Sequence, residues 1–255
     1  MRRREKFIIV SVLLALGLLA TQYVPVDWRY GAIILFAVIS YFMSAWALNE
    51  DLQIYEWLTI LPLPVLYATS VALFYFLLPE LLISRLVILA IFGIGMYALF
   101  LTANIFSVAK GRTIQLLYAA QAIALFFTMI ISLLLTNTIF SLRLPFYINA
   151  LLVAVTHFFL ILMSLWSVKL EPRIDREILQ YSLLFVLILT EFSIFFSFLP
   201  MQIWHISLFI MSLVYVGLSL FHNLLQGRLF KNTATEYILV AIFIVITFIF
   251  AFPGK

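Results

Sequence analysis

The sequence predicts an all-α, polytopic transmembrane helix bundle, and three observations carry that prediction. Hydrophobic residues make up 66% of the chain and charged residues only 10%, against about a quarter charged in soluble domains. The apolar residues gather into runs of roughly 17 to 25, the length a helix needs to cross a bilayer. The charge clusters fall in the short gaps between those runs. A water-soluble core is excluded. The absence of cysteine also removes disulfides, thiolate nucleophiles, Cys-ligated zinc and iron–sulfur clusters together.

About nine spans are predicted, with eight as the other count. The first, residues 7–24, follows Met1-Arg-Arg-Arg-Glu-Lys6. That opening has the charge of a signal peptide, but the run is long and no small-x-small cleavage site stands near Thr21, so it reads as a retained helix. The second and third spans cover 30–48 and 54–78. Pro62 and Pro64 lie in the inner half of the third, where they remove backbone donors and force a kink or a break. The fourth and fifth, 86–108 and 113–136, flank Lys110-Gly-Arg112. The sixth and seventh, 146–168 and 177–199, carry His157 and Glu191. The eighth and ninth, 203–226 and 235–252, are separated by Gly227-Arg228. Every gap is short, so a site of any kind lies within the membrane or at its surfaces.

Lysine and arginine orient the bundle, because cytoplasmic loops retain positive charge. With the N-terminus inside, eleven basic residues fall on the cytoplasmic side: Arg2, Arg3, Arg4, Lys6, Lys110, Arg112, Lys169, Arg173, Arg176, Arg228 and Lys231. Arg29, Arg85, Arg143 and Lys255 fall outside. The expectation is a multi-pass protein of the cytoplasmic membrane, with its C-terminus extracytoplasmic if nine spans cross. The net charge of +4 follows from this asymmetry, and no nucleic-acid partner is expected.

An internal repeat is also legible. Glu56–Pro79 aligns without gaps on Glu177–Pro200, with identities at Glu56/Glu177, Leu58/Leu179, Leu63/Leu184, Val65/Val186, Leu66/Leu187, Thr69/Thr190, Phe74/Phe195, Leu78/Leu199 and Pro79/Pro200. The preceding helices add Leu35, Ala37, Val38 and Phe42 opposite Leu152, Ala154, Val155 and Phe159. Helices one to four then correspond to five to eight, as halves 6–110 and 112–228 with an added helix at 233–253. An even offset keeps both halves in the same orientation, as in parallel-repeat transporters. Recurrent amphiphilic helix ends in any Leu/Phe-rich chain are the competing explanation.

Ionisable groups at membrane depth are expensive and suggest function. His157 and Glu191 are the two near mid-bilayer; at about 1.5 Å per residue they lie roughly 18 Å and 13 Å from Pro145 and Pro200. Adjacent antiparallel helices would let them pair, holding or relaying a proton. The structural reading has Glu191 protonated and donating to a backbone carbonyl or to a neighbour such as Gln121. His157, Glu191 and Gln121 are therefore the candidate ligand-binding residues. Asn104 with Lys110 and Arg112, and Asn223 with Arg228, form a second set, two cytoplasmic exits suited to anionic lipid headgroups or to structural polar contacts. Glu56, His222 and Glu236 near inner ends, and His205, Asn149 and Arg143 near outer ends, read as interfacial or capping residues.

Several functions are excluded. All five lysines lie at helix ends or termini, so no retinal Schiff base is served. His157, His205 and His222 stand at different depths, which rules out a bis-His haem. The HExxH metalloprotease motif and the nucleotide P-loop are absent. No catalytic residue, metal or cofactor is predicted. The segments Asn104-Ile-Phe-Ser-Val-Ala, Arg112-Thr-Ile-Gln-Leu-Leu, Thr138-Ile-Phe-Ser-Leu-Arg-Leu-Pro145-Phe and Leu229-Phe-Lys-Asn resemble an integral membrane family of candidate-phyla bacteria, catalogued as a domain of unknown function. The resemblance implies an all-helical bacterial membrane protein and supplies no activity. Two readings of function follow: a non-enzymatic scaffold or complex subunit that meets the lipid bilayer and another membrane protein, or a carrier or lipid-handling protein with a midplane site at His157 and Glu191.

Overall fold

The computed structural model describes residues 3–50, 52–53, 56–78, 82–109, 115–171 and 173–251. They form α1 (Arg3–Thr21), α2 (Arg29–Leu48), α3 (Glu56–Thr59), α4 (Pro62–Tyr75), α5 (Leu82–Val108), α6 (Gln115–Ser141), α7 (Phe146–Lys169), α8 (Arg176–Ser197), α9 (Ile203–Leu225) and α10 (Lys231–Ala251). Eight segments are long and apolar enough to cross a membrane, beginning with Val26–Leu48 and ending with Lys231–Phe250. The helix outside that set is α1, whose first turn carries Arg3, Arg4, Glu5 and Lys6. Its Phe7, Val10, Leu14 and Leu18 are nonetheless buried, and Phe7 stacks on Phe100 of α5 at 5.9 Å.

The chain divides into two compact units, Met1–Phe127 and Thr128–Lys255. The boundary falls inside α6, beyond residues 110–112 at which the repeat halves are divided.

In the first unit α2 packs on α4, α4 on α5, and α1 on both α2 and α5. The two prolines act as expected: the third span breaks after Thr59, and α4 restarts with Pro62 at its first position, where a missing N–H leaves no bond unmade. Tyr67 of α4 stacks on Phe92 at 5.5 Å and meets Phe127 edge-on at 5.1 Å. At one end Arg3 (2.8 Å) and Lys6 both pair with Glu50. The Lys6 and Arg3 hydrogen bonds hold the Glu50 carboxyl below the usual carboxylate range. All three side chains are partly exposed, so the cluster orients α1 beside α2 and contributes little stability.

In the second unit α7 and α8 form the most closely paired helices, and α9 packs on both. Their connection is fixed by local bonds. Leu170 takes the left-handed conformation at φ 52°, its N–H donating to Trp166 O at 3.0 Å, and the Trp166 indole donates to Glu171 O at 2.9 Å. Lys169 bridges Asp175 at 3.1 Å and Glu177 at 3.0 Å. At the other end Asn149 donates to Leu144 O and to Ser197 Oγ. α10 packs on α9, its Phe248 lying 4.4 Å from Phe209 and 5.1 Å from Phe196.

One glycine in this unit is there for close approach. A Cβ on Gly217 of α9 would collide with the ring of Phe185 on α8, and Phe185 is 4% exposed, beside Phe221 at 5.7 Å. Gly217→Ala is expected to destabilise the protein by about 1–3 kcal/mol, the usual range for overpacking. Gly31→Ala on α2, where no atom lies within 4 Å, is expected to be neutral or stabilising. Unfolding in mixed micelles measures both; equal effects at the two positions would remove the steric account.

Candidate functional site

His157 lies on α7, fully buried. Its Nε2 is 2.9 Å from Ser132 Oγ on α6, and its Nδ1 is 3.0 Å from Val153 O and 3.3 Å from Thr156 Oγ1. A neutral ring meets both contacts: Nδ1–H donates to the Val153 carbonyl while Nε2 accepts from the Ser132 hydroxyl. The imidazole is thus held by neighbours within its own unit.

Glu191 is placed differently. It sits on the exposed face of α8, and no hydrogen bond or ion pair reaches it among the described residues. The anticipated His157–Glu191 pair does not form. α8 turns Ser182, Phe185, Leu189, Ser193 and Phe196 inward, and Glu191 lies on the opposite side of that stripe. Sequence depth put the two groups at comparable levels, but depth does not fix the rotation of a helix about its axis. Gln121 is half-buried on α6 in the first unit.

The surroundings of Glu191 are apolar. Leu184 is 53% exposed, Leu187 59%, Phe195 55% and Phe198 67%; with Ile188 they make a continuous strip at the helical spacing of three and four residues. The corresponding surface on α4 behaves otherwise. At the offset of the Glu56/Glu177 alignment, Leu61, Pro64, Ala68, Ala72 and Tyr75 of the first unit match Ser182, Phe185, Leu189, Ser193 and Phe196, and both sets are buried. α4 also buries a second face, Leu63, Tyr67 and Ser70. The counterparts on α8 are Leu184, Ile188 and Glu191, all exposed. Among these helices α8 therefore has a bare face where α4 has a covered one.

α2 and α7 show the same kind of agreement. The buried residues Ile33, Phe36, Ser40, Ser44, Ala45, Ala47 and Leu48 stand opposite Ala150, Val153, His157, Ile161, Leu162, Ser164 and Leu165, every one of them buried. Tyr67 of α4 lies on Gly95 of α5, as Phe185 of α8 lies on Gly217 of α9.

The second candidate set is only partly in view. Lys110 and Arg112 lie outside the described residues. Asn104 is half-buried on α5 and Arg228 is exposed. Asn223 donates from Nδ2 to Ser219 O at 2.8 Å, a bond within its own helix. Gly227 takes φ +66°, and Arg228 N–H donates back to Asn223 O at 2.9 Å. Gly227-Arg228 thus follows the C-cap Gln226 and closes the end of α9, the ordinary use of a left-handed glycine.

Two polar groups, one buried and one half-buried, exceed the sequence reading. Glu56, expected at an interface, has no exposed surface. Its Oε2 accepts from Gln53 N–H at 2.9 Å and from Ser107 Oγ at 3.1 Å. The carboxylate reaches back across three residues to a backbone that Glu56 N–H also engages, donating to Gln53 O at 2.9 Å. His222 is half-buried with its Nε2 3.0 Å from Ser164 Oγ and 3.1 Å from Ser164 O. Among the described residues no three His, Asp or Glu side chains gather as metal ligands.

A scan against protein-family models and searches of curated proteins and of solved structures return no match. The class therefore rests on the fold itself: this is an all-α, multi-pass protein of a lipid bilayer, with eight helices among the described residues long and apolar enough to span it.

Proposed function

We propose that the protein is a non-catalytic subunit of a membrane assembly, meeting its partner inside the bilayer through the bare face of α8. The observation that carries this reading is Glu191. A carboxyl group in hydrocarbon costs several kcal/mol unless a hydrogen-bonding partner meets it, and Glu191 has none among the described residues. A transmembrane helix seated on Leu184, Ile188, Glu191 and Phe195 would bring that partner and cover the strip, as the matching face of α4 is covered.

The finer features of the reading have separate supports. The tandem repeat is supported by the matched burial of α2 with α7 and of α4 with α8. A cytoplasmic N-terminus and α1 as a ninth span are supported by the distribution of lysine and arginine and by the packing of α1 on α2 and α5. Placement in a bacterial cytoplasmic membrane rests on the resemblance to the candidate-phyla family.

One observation favours the lipid-handling alternative. A groove of about 460 Å³ is lined by Phe192, the residue after Glu191, with Phe195, Phe196, Leu199, Phe209 and Phe248 among others, and its apolar walls suit an acyl chain. Native mass spectrometry of protein extracted in mild detergent separates the two. A stoichiometric polypeptide complex that disappears in Glu191→Leu is the expected result. A monomer retaining a lipid that is lost in Glu191→Gln would overturn the assembly reading in favour of the groove.

A further inference from the structure

We propose that the occupant of the α8 face is a second copy of this chain, docked α8 against α8 about a twofold axis along the membrane normal, with the two Glu191 carboxyls hydrogen-bonded to each other. This rests on the assembly reading and names its partner. Copies inserted in the same orientation place each residue at the same depth as its equivalent, and a twofold interface brings a patch against itself. The lone polar group of such a patch must therefore be self-complementary. A protonated carboxyl is: it carries one O–H donor and one carbonyl acceptor, so two of them satisfy each other through a reciprocal pair of O–H···O bonds. No cationic group on a foreign helix is required.

The rest of the face fits the same occupant. From Gln180 to Phe198 it is exposed at helical spacing through Leu184, Leu187, Ile188, Glu191 and Phe195, about 27 Å at 1.5 Å per residue, close to the hydrocarbon thickness of roughly 30 Å. Between its ends Glu191 is the only charged residue type on the strip. The strip lacks the small residues that let helix backbones approach closely, so a polar pair is what fixes register and specificity. Lipid alone would cover the leucines equally well and would leave the carboxyls unbonded.

The chain has no cysteine, which makes single-cysteine cross-linking in native membranes free of background. Leu184→Cys, Ile188→Cys and Phe195→Cys are expected to form disulfide-linked dimers on mild oxidation, whereas Phe185→Cys and Leu189→Cys, on the inward face, are not. Adding Glu191→Leu to Ile188→Cys is expected to weaken dimerisation on the order of tenfold. Glu191→Gln, whose amide is also both donor and acceptor, is expected to keep the dimer. Because Leu184, Ile188, Glu191 and Phe195 are exposed, substitutions at these four positions leave the core of the unit untouched. Cross-linking without helical period, or unaffected by Glu191→Leu, would overturn the proposal. A complex with a different polypeptide, lost in Glu191→Leu while the strip cysteines stay unlinked, would overturn the self-pairing and leave the assembly reading standing. A protein monomeric in the membrane would end both.

Discussion

His157→Ala is expected to destabilise the second unit by about 3 kcal/mol, in the range of large-to-small substitutions at fully buried sites. Two losses combine. The ring fills a position with no exposed surface, so its removal opens a cavity that lipid does not reach, and Ser132 Oγ on α6 loses the acceptor it meets at 2.9 Å. The second loss is the smaller, because hydrogen bonds between membrane helices contribute about 0.6 kcal/mol on average and at most about 1.7. Ser132→Ala is accordingly expected to lose no more than that, and His157→Gln to fall between the two. Equilibrium unfolding in mixed micelles, run as a double-mutant cycle, measures each contribution. If Ser132→Ala proved as damaging as His157→Ala, the bond would dominate the packing and the account would be wrong.

Glu56→Leu is expected to cost about 2 kcal/mol, the penalty for leaving a buried donor without an acceptor. The substitution keeps most of the volume and removes the oxygen that accepts from Gln53 N–H at 2.9 Å and Ser107 Oγ at 3.1 Å. Those two bonds hold the entry to α3 and the last turn of α5 together, just before the break at Pro62. Glu56→Gln retains a carbonyl acceptor and is expected to lose less than half as much. Amide hydrogen exchange at Gln53 supplies the local readout: protection should fall in Glu56→Leu and persist in Glu56→Gln. Unchanged exchange in the leucine variant would show that the Glu56 carboxyl does not hold this turn.

The helices, their order and the break at Pro62 were legible because each depends on local chemistry: runs of apolar residues, charges that stay at the ends, and prolines that lack a donor. The positions of His157 and Glu191 along their helices were legible for the same reason. Their orientation was not. A residue's depth follows from counting at a fixed rise, but the direction of its side chain depends on which face its helix turns to its neighbours. His157 shares the inward stripe of α7 with Val153 and Ile161, and its partner Ser132 lies on a different helix. Glu191 is offset from the Leu189 and Ser193 stripe of α8, which leaves it outside. Glu56 shows the opposite case, a charged residue at a span's end that reads as interfacial until Ser107, 51 residues away, is seen to close over it.

By itself the sequence determined that this chain lives in a bilayer as a helical bundle, since the free energy of burying an unpaired backbone in lipid allows few other solutions. The tertiary structure decided which polar groups are closed off and which are offered. Close contact between α7 and α8 and their packing with α9 select one face of each helix, because side chains such as Phe185 fit against Gly217 in a single rotation. That choice seals His157 with Ser132 and turns Glu191 toward whatever the protein meets in the membrane.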